Sequence, residues 1–347
     1  MNMYINRIDG GNGIAMASPR IVFGIPDTMI KLWEYIQDID VMVNSLRWRW
    51  PKPNVSSMWV DSGGYQIMIR GLKIALEDVI KKYGILDADI YISLDIPPRQ
   101  FCLITRQQLL ENIKNFEVLY TKLEDKKIIP VIHCYDCYSM LEAIDTYKRY
   151  GVELIAFGGI VPPTLAKNGK GSRVVPIVAL TIISKTFRGK VHALGVGGTS
   201  TMYNVLKTLN VYSLDSSSWR TKAAYGKIII PGRGERYVGN GKASFGRKDL
   251  TIQDWEILLK ALTETRFPYV DNLDEMLSTF RGRAIINAWI VHYFADTLSE
   301  CNGFAWLVEY SKKIKDMNAA ELCIIHDKLI NNMKIAATDT LSANSTL

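Results

Sequence analysis

The chain has 347 residues, 48% of them hydrophobic, and carries 42 Lys and Arg against 35 Asp and Glu for a formal charge of +7. This composition excludes a disordered chain, and no apolar run approaches the length of a membrane-spanning helix. Residues Met1 to Gly13 lack the basic start and apolar run of a secretory signal. The five cysteines read as reduced thiols of a cytoplasmic protein rather than a disulfide framework.

Short apolar, β-branched runs predict strands at Arg20–Gly24, Asp40–Val43, Ser57–Asp61, Ile90–Asp95, Ile128–His133, Glu153–Phe157, Lys190–Gly195 and Val211–Asp215. Several are apolar throughout, as parallel strands buried on both faces are. Helical spacing falls between many of them, at Leu72–Tyr83, Arg106–Leu123, Tyr138–Tyr150, Val174–Thr186 and Thr201–Leu209. Strands alternating with helices in this way predict an α/β fold, a (β/α)8 TIM barrel, over residues 1–219. Residues 220–250 form a basic, Gly-rich insertion with short strands expected at Ile228–Ile230 and Arg236–Val238. Helices at Ile252–Glu264, Asn272–Phe280, Arg283–Leu298 and Phe304–Lys315 make residues 251–335 a helical part packed on the barrel. Residues 336–347 read as a frayed tail.

A barrel of this kind carries its chemistry at the C-terminal ends of its strands. Here those ends hold Asp61, Asp95, His133 and Asp215, together with the glycine turns Gly158-Gly159 and Gly195-Val196-Gly197-Gly198. Gly and Asp are common turn residues. Yet three aspartates that each directly follow an apolar run also supply the nucleophile, the acid/base and the hydrogen-bond acceptor that catalysis needs. Glycines let a flat ligand approach the backbone closely.

In order along the chain, these residues resemble a known family. Asp61-Ser62-Gly63-Gly64-Tyr65-Gln66 is similar to the Asp-Ser-Gly-Gly-Phe/Tyr-Gln hexapeptide of tRNA-guanine transglycosylases. Ser93-Leu94-Asp95, Phe157-Gly158-Gly159, His192-Ala193-Leu194-Gly195-Val196-Gly197 and Leu214-Asp215 resemble later segments of the same family, over some two thirds of the chain. The resemblance implies that Asp215 is the nucleophile on the sugar C1′ and Asp61 the general acid/base, the two-carboxylate logic of retaining glycosidases. It also implies base binding by Tyr65, Gln66, Asp95, His133, Gly158, Gly159 and Gly197, with the base drawn out of its stack.

The sequence departs from the family in two places. At the end of the fifth strand it has His133 where the family usually has Gln. The family's Cys-x-Cys-x2-Cys zinc motif with a later His is absent after Asp215. Cys323-Ile324-Ile325-His326 and His133-Cys134-Tyr135-Asp136-Cys137 are each incomplete ligand sets. A structural zinc therefore stays open, and neither a metal nor a cofactor is assigned.

The missing motif, with no room for a separate RNA-binding domain, points to the divergent branch that inserts 7-deazaguanines into DNA, including in viral genomes. A virus-encoded protein acting in its host cell fits that branch. The partners implied are DNA, or tRNA as the alternative, and a free 7-deazaguanine base, with no membrane. The segment Arg220–Lys248 has eight basic residues and one acidic one, Glu235. Arg220, Lys222, Arg233 and Arg236 are its expected contacts to the phosphate backbone. The Arg47-Trp48-Arg49-Trp50 run pairs phosphate-binding with base-stacking chemistry and reads equally well as a loop whose tryptophans cap the barrel. Two readings from other classes remain: a non-catalytic nucleic-acid-binding barrel, which has no use for paired aspartates, and a metal-dependent hydrolase, for which four scattered His are few ligands.

Overall fold

A computed structural model describes residues 18–64, 71, 73–97, 105–158, 171–188, 190–195, 200–239, 247–297 and 305–344, with backbone alone for 171–173, 200–201 and 333–344. All eight expected strands form. They are β1 (Arg20–Ile25), β2 (Asp40–Asn44), β3 (Ser57–Asp61), β4 (Ile90–Ile92), β5 in two halves (Ile128–Ile129 and Val131–His133), β6 (Ile155–Gly158), β7 (Val191–Ala193) and β8 (Ser213–Ser216). Every neighbouring pair is parallel.

The halves of β5 explain how the sheet closes. Pro130 separates them; it has no N–H to donate, although its carbonyl accepts the Ala156 N–H at 2.8 Å. Ile128 and Ile129 pair with β4, whereas Val131 to His133 pair with β6. One strand thus joins the two ends of the sheet, and the eight run in chain order around a barrel with β8 against β1.

Side chains alternate between the lumen and the helices. Val22, Met42, Trp59, Val131 and Ala156 belong to a small apolar cluster in the lumen, separate from the larger core between strands and helices. Two residues further along each strand the same inward side meets Gly24, Asn44, Asp61, His133 and Gly158. In β8 the inward pair is Ser213 and Asp215. Strand periodicity alone therefore aims the polar residues at one mouth.

Helices α1 (Leu76–Ile85), α2 (Arg106–Lys122), α3 (Cys137–Arg149), α4 (Gly171–Thr186), α5 (Ser200–Thr208) and α6 (Ser218–Ala224) follow the strands. The Thr105 hydroxyl and the Gln108 side chain cap α2 reciprocally, and Asp136 caps α3 through the Ser139 N–H, each satisfying an orphan helix donor. The basic segment contains the expected hairpin, β9 (Lys227–Ile230) with β10 (Gly234–Tyr237). Then come α7 (Ile252–Glu264), α8 (Leu273–Ser278), α9 (Phe280–Phe294), α10 (Ala305–Ile314) and α11 (Ala319–Asn344).

The C-terminal helices cover the barrel. Helix α9 packs on α6 and β9, α10 on α5, and α11 on α4 and α3. Asn287, fully buried in α9, accepts the Ile229 N–H at 2.7 Å and donates to the Trp219 and Lys227 carbonyls, so its amide is satisfied where an unpaired one would be costly.

Several expectations need correction. Strand β4 stops at Ile92, so Asp95 stands in the loop after it. The tail expected to fray from residue 336 is helical as far as Asn344. The cysteines are not all thiols: Cys137 and Cys323 are joined as a disulfide. Their separation of 186 residues hides this pairing from any reading of spacing, because only the packing of α11 on α3 brings them together. No described helix is long and apolar enough to cross a membrane.

Candidate active site

Asp61 ends β3 beside Asn44, its register partner on β2. Asn44 Nδ2 donates to Asp61 Oδ2 at 3.1 Å. The turn that follows depends on both of its glycines. Gly63 has φ of 103°, in the region that favours glycine. A Cβ on Gly64 would lie 2.3 Å from Asp95 Oδ1, so this glycine is what lets the Asp95 carboxylate approach the turn. Ser62, buried beneath, has its hydroxyl 3.4 Å from the same oxygen.

Asp95 is held from several sides. His133 Nε2 lies 2.9 Å from Asp95 Oδ2. The carboxylate accepts, so Nε2 carries a proton. Nδ1 is buried with no hydrogen-bond partner among the described residues. It faces Gly158, where a Cβ would come within 2.8 Å of it. The loop bearing Asp95 is anchored from α2: Asn112 Oδ1 accepts the Ile96 N–H at 2.7 Å and Asn115 Nδ2 donates to the Leu94 carbonyl at 3.2 Å.

On the opposite side of the mouth, Asp215 Oδ1 accepts the Gly195 N–H at 2.7 Å. His192 Nε2 is 3.4 Å from that oxygen, within ion-pair reach but outside hydrogen-bond geometry. His192 is completely buried. Its other nitrogen meets the Ser213 hydroxyl at 2.8 Å, and its ring packs on Trp59 with centroids 4.5 Å apart.

The aspartates interact electrostatically. Burial, then the charge of Asp95 and, more weakly, that of Asp215, push the Asp61 carboxyl up to about 7, against the opposing hydrogen bonds from the Gly63 N–H and Asn44. Like charges in a partly desolvated site favour the protonated form in this way. A carboxyl that titrates near neutrality can both give and take a proton, the property a general acid/base requires. The expected set Asp61, Asp95, His133, Gly158 and Asp215 thus gathers at one mouth. Tyr65, Gln66, Gly159 and Gly197 lie outside the described residues. Sequence reasoning missed Asn44 and His192. Strand parity was the available signal for both, since each points inward beside an aspartate.

The basic segment differs from its expected form. Arg220 pairs with Asp27 at 2.8 Å and lies over the Phe280 ring. Lys222 and Lys227 both pair with Glu235. Arg233 and Arg236 donate through Nε to the fully buried Asp254 at 3.0 and 2.7 Å. Burial disfavours the Asp254 charge, but hydrogen bonds from Arg236, Thr251 and Arg233 outweigh it and hold the carboxyl well below the usual carboxylate range. Eight cations against one anion describes the local sequence; in space, Asp27, Asp254 and Asp249, which pairs with Arg247, supply further anions. In the tryptophan loop Trp48 is buried, edge-on to Trp33 and to the exposed Trp50. Trp48 thus belongs to the core between strands and helices.

No family model matches the chain. It is 32% identical over 326 residues to "Uncharacterized protein 306" of Sulfolobus islandicus rod-shaped virus 1, covering 91% of this chain and 93% of the viral one. The chain belongs to the same family as that viral protein. The match covers nearly all of both chains, so the barrel and the C-terminal helices fall within the similarity together. As long as Cys137 and Cys323 are joined, no group of three or more His, Cys, Asp or Glu side chains that could hold a metal ion occurs among the described residues.

Proposed function

We propose that this protein is a base-exchange transglycosylase that replaces guanine in a polynucleotide with a 7-deazaguanine. The observation that carries this reading is the convergence of Asp61, Asp95 and Asp215 on one barrel mouth, with Asp61 raised to about 7 by its burial and its two neighbours. Neither a binding barrel nor a hydrolase with several His ligands accounts for three acidic groups placed together at the expense of stability. The resemblance of residues 61–66 to the guanine transglycosylase hexapeptide supports the same chemistry.

In this mechanism the Asp215 carboxylate attacks C1′ of the target nucleotide. The bond to guanine N9 breaks, and its electrons leave with the base, which takes a proton from Asp61. The incoming base then gives its proton to Asp61 and attacks C1′, and the Asp215 ester bond breaks. Bonds and protons balance, with no oxidant or reductant. The Gly195 N–H orients Asp215 for both steps. Asp95, held by His133 and Ser62, accepts from the N1–H and amino group of a guanine-like base; a base lacking those donors is rejected because it leaves the polar groups of a buried site poorly matched. Arg220 and Lys222, just beyond the nucleophile strand, are paired with Asp27 and Glu235, so a flanking phosphate would have to displace those carboxylates.

DNA is the favoured polymer. The absence of the Cys-x-Cys-x2-Cys motif after Asp215 supports it, and the viral origin of the relative fits a virus-encoded protein acting in its host. Incubating the protein with guanine-labelled DNA and, separately, tRNA, in the presence of free 7-deazaguanine bases, tests the proposal. Release of labelled guanine matched by incorporation of the new base is expected, faster on DNA. Faster exchange on tRNA would overturn the polymer preference alone, and no exchange on either would overturn the reaction.

A further inference from the structure

Away from the mouth, the fold brings together four side chains that base exchange does not use. Cys134 and Cys137 lie three apart where β5 passes into α3; Cys323 and His326 lie three apart on α11 and so share one helix face. Each pair touches the other. Cys134 Sγ is 3.4 Å from His326 Nε2, and Cys137 is bonded to Cys323. His326, Cys134 and Cys137 are all buried.

We propose that Cys134, Cys137, Cys323 and His326 form a structural zinc site, occupied when the cysteines are reduced and exclusive of the Cys137–Cys323 disulfide. The Cys-x2-Cys and Cys-x2-His spacings together give the three-sulfur, one-imidazole set of closed tetrahedral zinc sites. Two contacts, Cys134 to His326 and Cys137 to Cys323, set one ligand pair against the other. The surroundings fit as well. His326 Nδ1, buried and without a hydrogen-bond partner among the described residues, faces Asp327 Oδ1 at 3.6 Å, and that same oxygen accepts the Cys137 N–H at 3.0 Å. A carboxylate behind the ring of a zinc-bound His and an amide tying it to the ligand loop are the outer contacts that orient such ligands. Cys137 stands in the first turn of the 13-residue α3, where the helix N-terminus favours a thiolate. These ligands come from β5 and the C-terminal helix, not from the segment after the nucleophile strand.

The chemistry balances with a dithiol as reductant. The dithiol gives two electrons and two protons to the disulfide and becomes a disulfide itself. Zn²⁺ then takes the place of the thiol protons on Cys134, Cys137 and Cys323, which are released. The ion pins α11 to the barrel, independently of the exchange reaction.

The full-length protein, purified in a dithiol reductant with zinc present and passed through gel filtration, is assayed for metal by mass spectrometry and for thiols by titration. One zinc per chain is expected, lost in Cys323→Ser and His326→Ala. Should those variants fail to fold, the parent suffices: chelator added in reductant lowers its melting temperature and zinc restores it, and cobalt(II) in its place gives a thiolate charge-transfer absorption. A folded, reduced parent without zinc, a disulfide that persists in the dithiol, or zinc content unchanged in a Cys134→Ser, Cys323→Ser double variant overturns the site.

Discussion

Replacing Asp61 with Asn separates what this carboxyl does for chemistry from what it does to stability. A carboxyl moved from 3.8 to about 7 on folding corresponds to about 4 kcal/mol against the ionised form, at about 1.4 kcal/mol per tenfold change. Water at the mouth screens the charges, which brings the expected effect to about 1–2 kcal/mol. The folded-state value is raised, so the folded protein binds more protons than the unfolded chain between about pH 4 and pH 7. The contribution of Asp61 is therefore fully present below about pH 4 and is lost as pH rises through about 7. Asn is neutral throughout and keeps a side chain that Asn44 can meet. The variant should match the parent near pH 4 and melt a few degrees higher at pH 8, at about 2–4 °C per kcal/mol, while base exchange collapses. Urea or thermal melts of both proteins across that pH range measure the difference. A variant less stable than the parent at pH 8, or a gap that does not change with pH, would refute the account of like-charge crowding.

Asp215→Asn should abolish exchange and the trapped protein–polynucleotide adduct while the melting curve stays close to that of the parent, because an amide cannot form the sugar ester; adduct retained on a denaturing gel removes Asp215 from the role. Asp95→Ala should lower the preference for guanine-like bases by two or more orders of magnitude, the scale expected when a polar base edge goes unmatched, as competition between incoming bases would read. Gly64→Ala drives a methyl into the Asp95 carboxylate and should cost about 1–3 kcal/mol together with most of the exchange rate; a well-folded, fully active protein would show that the turn is not needed to seat Asp95. Arg236→Ala leaves the buried Asp254 short of a partner and should cost about 2–4 kcal/mol in a urea melt. An unchanged melt with a shallower salt dependence of polynucleotide binding would instead assign Arg236 to the phosphates.

The barrel was legible because its signals are local. Apolar runs of strand length separated by helical spacing need no knowledge of partners, and Asp61 and Asp215 could be placed because each ends such a run. Asp95 could be placed at the mouth although it stands beyond its strand, since an acidic residue after an apolar run marks the mouth whether or not the ladder reaches it. What escaped notice depends on contacts between distant parts of the chain. Arg233 and Arg236 looked like free cations until Asp254 came to lie under them. Cys137 and Cys323 fell into two separate, incomplete ligand sets because nothing in a sequence seats the last helix against the third. Asn44 and His192 lie on the strands correctly assigned, but their roles follow from which way they point and from what the neighbouring strand presents in register.

The covering of the barrel by α9, α10 and α11 has a consequence for how the protein is made. A ribosome delivers the chain from its N-terminus, so the eight strands emerge before the helices that shield α3, α4, α5 and α6. During that interval the apolar outer faces of those four helices stand open to water and to other nascent chains. Closure waits for contacts such as those between α11 and α3, among the most distant in the sequence and so among the slowest to form. A ribosome that stalls before α11 leaves a barrel with its strands in place and one flank bare, a species for chaperones and proteases rather than a smaller stable protein.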